Sequence, residues 1–184
     1  MSNIPNLVYL APTTYEEYIA MLDWSTEQRE HPVAIRVPGA VIHGEKPTKD
    51  YGILNKYETV QKGSGAAIIA LGTFFGMGKQ AAELIEKKTG VKPTLINPVY
   101  ITGIDEELLE SLKKDHKAVI TLEDGILDGG FGEKIARFYG DSDMRTVNFG
   151  LKKEFLDRYD ANEVLRQNGI TPEQIADRAA ELIK

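Results

Sequence analysis

The sequence predicts an α/β fold: a mostly parallel sheet with helices on both faces, preceded by a short βαβ piece. Three observations predict it. From residue 66 onward, short apolar runs alternate with stretches of helical period, the β-α-β-α order that parallel sheets need. The run AAIIAL at 66–71 is apolar without alternation, as in a strand covered on both sides. Finally, 42% of the 184 residues are apolar and 27% charged, the balance of an ordinary globular chain that buries a core without staples.

Each element has its own signal. LVYLA at 7–11 reads as a strand. Thr13 or Thr14 then caps a helix, with Glu16 or Glu17 three residues on completing a capping box. VAIRV at 33–37 is strand-like. The stretch after Pro38 carries Gly39, Gly44, Pro47 and Gly52 and reads as a linker, ending where a strand enters near Tyr57. After 66–71 comes a helix with Met77, Ala81, Leu84 and Ile85 on one stripe, stopping at Gly90, a natural residue for the left-handed end of a helix. PTLINPVY at 93–100 is the next strand, and Asp105 caps a helix that turns Leu108, Leu109 and Leu112 inward. KAVITL at 117–122 is a buried strand ending near Leu122; the helix after it carries Ile135, Ala136 and Phe138. RTVNFG at 145–150 follows. Helices close the chain, the last opening T-P-E-Q at 171–174 with proline at its first position and burying Ile175, Ala179, Leu182 and Ile183.

Composition excludes several functions. Without cysteine there is no disulfide, thiolate metal site or cysteine nucleophile. A net charge of −6 repels nucleic acid, and no basic cluster with interleaved aromatics offsets it. No run of about 18 apolar residues is present to span a membrane. The first residues lack a cationic segment and do not read as a signal peptide, so a cytoplasmic location is expected.

The glycine-rich stretch TLEDGILDGGFGEKI at 121–135 poses the main chemical question. A dinucleotide loop needs G-x-G-x-x-G directly after a strand. Here Gly130 and Gly132 supply G-x-G, but Ile135 takes the third glycine place, and Glu123, Asp124 and Asp128 precede the helix. Carboxylates at a helix start occupy its positive end and repel phosphate, so close packing is the favoured use of these glycines. KGSGAA at 62–67 precedes a strand and reads as a turn. GTFFGMGKQ at 72–80 lacks the P-loop order, since Gln80 stands where Ser or Thr should; with Gly72, Gly76, Phe74 and Phe75 it reads as an interface loop or a small-ligand site at the carboxyl end of the sheet. His31, His43 and His116 have no metal-ligand spacing and read as surface residues. Asp141 and Asp143 are a possible but unsupported Mg²⁺ pair. No serine nucleophile elbow is present, so the residues yield no catalytic set.

The order of motifs resembles the C-terminal part of the transketolase-like, thiamine-diphosphate-dependent enzymes, most closely their 1-deoxy-D-xylulose-5-phosphate synthase branch. IPNLVYLAPTTYEEYIAML at 4–22 is similar to the last βα unit of that family's pyrimidine-binding domain, and PVAIRVPG at 32–39 to its final strand. AAIIALGTF, VYITGIDEELLESL, VITLEDGILDGGFGEKI and the segment from 148 to 183 follow in the family's order. The resemblance implies a Rossmann-like three-layer C-terminal domain over 44–184 and, over 1–43, the tail of a pyrimidine-binding domain. For the complete enzyme it implies thiamine diphosphate and Mg²⁺, decarboxylation of pyruvate, and addition of the resulting carbanion to glyceraldehyde 3-phosphate, a step in isoprenoid biosynthesis. The family binds its cofactor through regions not matched here. This chain alone is therefore expected to hold no cofactor, metal or catalytic residue, and to support a homodimer or the enzyme's remaining domains. A subunit of a split enzyme and a free-standing nucleotide-binding domain are the alternatives. Arg36 matches a substrate-proximal arginine, though a structural ion pair is an equal reading. The family motif Arg-Tyr-Pro-Arg-Gly is here Arg36, Val37, Pro38, Gly39, Ala40, so its second arginine, a phosphate donor, is Gly39.

Overall fold

A computed structural model describes residues 1, 4–37 and 39–183; Pro38 of the arginine motif lies outside the described residues. The first three elements form a parallel βαβ unit: β1 (Val8–Leu10), α1 (Tyr15–Glu27) and β2 (Val33–Ile35). The predicted cap is present, with Thr14 Oγ1 accepting the Glu17 N–H at 3.1 Å. Glu17 reaches back to the Thr13 N–H rather than to that of Thr14, at 2.7 Å, which is a shifted form of the capping box.

The second sheet comprises β3 (Glu58–Gln61), β4 (Gly65–Ala70), β5 (Thr94–Asn97), β6 (His116–Ile126) and β7 (Arg145–Leu151) in the order β3-β5-β4-β6-β7. β3 is antiparallel to β5; the other pairs are parallel. One face packs against α3 (Glu106–Leu112) and α4 (Phe131–Tyr139), burying Ile69, Val119, Leu109, Ile135 and Tyr139. The opposite face packs against α2 (Phe75–Thr89) and α6 (Pro172–Leu182), burying Ile68, Ile120, Ala81, Ile85, Ile175 and Ala179. Alternate residues of β4 thus serve opposite layers, which explains why its sequence shows no polar face. α5 (Ala161–Gln167) buries no side chain.

Four expectations need correction. The strand predicted over 93–100 ends at Asn97, because Pro98 has no N–H to donate and Val99 turns to φ +63°. β6 runs on to Ile126, with an irregularity after Leu122, because β7 continues far enough to pair Leu151 with Ile126. The supposed linker docks: Tyr51 is 3% exposed and joins Val8, Leu10, Met21, Val99 and Tyr100 in a third core under the βαβ unit. His116 is also not on the surface, its side chain being 3% exposed. Its Nε2 lies 2.8 Å from Thr94 Oγ1, and its Nδ1 2.7 Å from the Asp115 carboxylate and 3.1 Å from the Leu112 carbonyl.

Candidate functional site at the carboxyl ends of the parallel strands

Neighbouring strands β4 and β6 send their connections to opposite faces of the sheet, α2 to one and α4 to the other. In open α/β sheets the crevice at such a reversal is where ligands bind. Here it is filled by the chain itself. Arg36, just past β2, reaches from the βαβ unit to form an ion pair with Asp124. The other Asp124 oxygen accepts from Thr73 Oγ1 at 2.8 Å. Thr73 belongs to a short 3-10 turn, Gly72–Phe74, that leads from β4 into α2. Gly72 permits the close approach: it has φ +56°, and a Cβ there would stand 3.3 Å from Ala11 Cβ. Only the start of the 72–80 stretch is a loop: Gly72 approaches the chain's own first unit, whereas residues from Phe75 on belong to α2 and Phe74 and Phe75 pack on the second sheet's core.

Arg36 keeps 27% of its side chain exposed. Burial pulls its pKa down, while Tyr9 and Glu123 pull it the other way; a guanidinium stays charged throughout.

Glu123 closes the same crevice from below. Its two oxygens accept from the Phe131 and Gly132 N–H groups, each at 2.8 Å, at the start of α4. The carboxylate is 4% exposed. Burial raises its pKa, with the two amides and Arg36 opposing that effect. The positive end of α4 is thus occupied by a built-in anion. The glycines make room for it: a Cβ on Gly130 would lie 2.5 Å from Glu123 Oε2, and one on Gly132 2.6 Å from Thr121 Oγ1. These two glycines are thus closely packed against Glu123 and Thr121. A diphosphate does not fit beside Glu123 and Asp124, whose carboxylates already hold the donors it would need. Among the described residues no three His, Asp or Glu side chains converge to hold a metal ion, so Asp141 and Asp143 remain without supporting ligands.

A second polar seam joins the two sheets. Glu17, 5% exposed, accepts from Thr13 Oγ1 at 2.9 Å and from Asn97 Nδ2 at 3.1 Å. Asn97 in turn accepts from the N–H of Val99 at 3.1 Å. The backbone around Val99 pairs with β1: the Ala11 N–H donates to Val99 O at 2.8 Å and the Ile101 N–H to Tyr9 O at 2.7 Å.

The structure therefore brings together two motifs that the sequence shows far apart, Arg36 and the 121–132 stretch. The partnership of Asp124 with Arg36 carries no sequence signal, because it depends on the docking of two sheets, while that with Thr73 joins the ends of neighbouring strands β4 and β6. The burial of Glu17 is hidden for a different reason: its place in a capping box already accounts for a glutamate there. Gly39 is exposed, and a Cβ built on it meets nothing within 4 Å. His43, also exposed, lies 2.8 Å from Glu16.

Comparison with known proteins agrees with this geometry. Residues 55–175 match the family described as transketolase, C-terminal domain. Among curated relatives, 1-deoxy-D-xylulose-5-phosphate synthase of Clostridium tetani is 31% identical over the whole chain, and that of Symbiobacterium thermophilum 32% over 98% of it. The chain spans 30% and 28% of their respective lengths. Among solved structures, a split-gene transketolase described as an inactive beta4 tetramer superposes with a TM-score of 0.84 at 22% identity, covering all of this chain and 60% of that one. A transketolase mutant from Pichia stipitis superposes at 0.72 with 19% identity, covering 98% of this chain and 26% of its own. With two-thirds of its residues matching, including both sides of the crevice that Arg36 plugs, this chain belongs to the transketolase C-terminal domain family.

Proposed function

We propose that this chain supplies the C-terminal-domain part of a thiamine-diphosphate-dependent transferase of the 1-deoxy-D-xylulose-5-phosphate synthase class. In this reading 44–184 is that domain and 1–43 the end of the pyrimidine-binding domain, and the two together support a dimer or the enzyme's remaining domains. The observation that carries the proposal is the filled crevice. Where a free-standing α/β domain would hold a ligand, this one holds its own Arg36, Asp124, Thr73 and Glu123. Such a network fixes the position of β2 and the chain leaving it, which makes the domain a support for chemistry located elsewhere. Bound by other parts of the enzyme, the cofactor supplies the carbanion chemistry on pyruvate-derived carbon. This chain's residues orient Arg36 beside the acceptor.

Isothermal titration of the 184-residue chain with thiamine diphosphate and Mg²⁺ tests this. Only heat of dilution is expected, and micromolar binding would overturn the assignment.

A second reading, a subunit of a split enzyme with a different acceptor, draws support from Gly39 and from the likeness to the split-gene transketolase. Open space at Gly39 makes Gly39→Arg stability-neutral, within about 0.5 kcal/mol. In the assembled enzyme, a glyceraldehyde 3-phosphate KM lowered by that change favours a phosphorylated acceptor. An unchanged KM favours the second reading.

A further inference from the structure

A separate cleft of about 660 Å³ lies between the loop at 102–104 and the start of α4, lined by Thr102, Ile104, Gly129, Glu133, Lys134 and Arg137. Its walls are firm. A Cβ on Gly103 would fall 2.2 Å from the Asn55 side chain, so that loop is pressed against the segment ahead of β3. Thr102 Oγ1 accepts from the Tyr9 N–H at 3.0 Å, leaving its hydroxyl proton to donate.

The charges in the cleft are unbalanced. Lys134 Nζ donates to the Ile101 carbonyl at 2.7 Å, a neutral acceptor. Among the described residues neither Lys134 nor Arg137 has a carboxylate within 4.0 Å. Glu133 is on the rim, where its Oε2 already accepts from the Gly129 N–H at 2.9 Å. Glu123 lies behind the wall, committed to the α4 amides. Lys134 is half-buried, and burial lowers its pKa, with Arg137 acting the same way and the more distant Glu123 opposing. A desolvated cation that lines a cleft and has no carboxylate in direct contact marks a binding position.

We propose that this cleft binds a small phosphate monoester, its dianion held by Lys134 and Arg137 with Thr102 as a third donor. Two cations against one rim carboxylate favour a dianion over a single carboxylate, and an arginine fork suits phosphate oxygens. The Gly129 and Gly130 N–H groups already donate within the protein, to Glu133 and to the Leu127 carbonyl, so the side chains carry the binding.

The proposal stands apart from the assignment to a thiamine enzyme and can be tested on the 184-residue chain. Inorganic phosphate and glycerol phosphate are titrated at fixed ionic strength while backbone amide NMR shifts are followed. Saturable shifts are expected at Gly103, Gly129 and Gly130, with affinity about tenfold weaker in Lys134→Met and in Arg137→Met, the loss typical of one charged hydrogen bond. Lys134→Arg is expected to retain binding. Arg137 is exposed, so its variant keeps the test decisive should Lys134→Met fail to fold. Absence of shifts at these amides, or equal affinity in the Arg137→Met variant, overturns the proposal.

Discussion

At the scale of single residues, two buried carboxylates organise this protein in opposite ways. Glu123 satisfies backbone donors within the larger sheet unit, whereas Glu17 accepts from Thr13, just ahead of one sheet's helix, and from Asn97 on the other sheet. Burial dominates the Glu17 carboxyl and raises its pKa above 4.5. A folded-state pKa above the unfolded value contributes stability below about pH 4.5 and loses it as pH rises through the folded pKa. Gln at position 17 does not titrate, and it also turns a donor toward Asn97 Nδ2. Glu17→Gln is therefore expected to be destabilised at every pH, most strongly below pH 4.5, with the deficit shrinking toward neutrality. Urea denaturation from pH 4 to 8 measures this, and a deficit that grows with pH would refute it. Local chemistry was readable at Thr14, Asp105 and Thr171, whose capping side chains act on neighbours three residues away. The burial of Glu17 was not, since its other partner lies 80 residues on.

Among elements, the end of β5 shows strain held in place by packing. Val99 is fully buried at φ +63°, a conformation that β-branched residues rarely adopt. It is fixed by Asn97 behind it and by Ala11, just past β1. Relief of left-handed strain is worth about 1–2 kcal/mol, whereas loss of a fully buried valine side chain costs about 1.5–3 kcal/mol, and glycine adds about 0.5–1 kcal/mol of entropy. Burial wins, so Val99→Gly is expected to lose about 1–2 kcal/mol. Val119→Gly, equally buried but without the positive φ, lacks that relief and is expected to lose more by about 1–2 kcal/mol. Chemical denaturation of the two variants compares them directly; equal losses would show that Val99 is unstrained. The pattern of strands and helices from 66 onward was visible in hydrophobic period, but strand ends were not. β6 outran its apolar stretch because β7 stayed beside it, and β5 stopped short because Pro98 cannot join a ladder.

For the molecule as a whole, Arg36 is one clamp between the two sheets, beside the Glu17–Asn97 seam. Its ion pair is about one-quarter exposed on each side, so its worth is of the order of 1 kcal/mol rather than that of a fully buried pair. Arg36→Met is expected to raise amide hydrogen exchange in β1, α1 and β2 by several-fold to about tenfold while β4 and β6 stay protected. Uniform acceleration across both sheets would mean that they open as one unit and that the clamp is not local. Periodicity, caps and glycine placement determined the layered α/β fold and the element order. These follow from neighbours a few residues apart, which a linear reading can see. The joining of Arg36 to Asp124, the burial of Tyr51 and His116, and the cleft at Lys134 came only with the folded chain. Each of these depends on groups brought together from separate elements, and no local pattern encodes how two sheets dock.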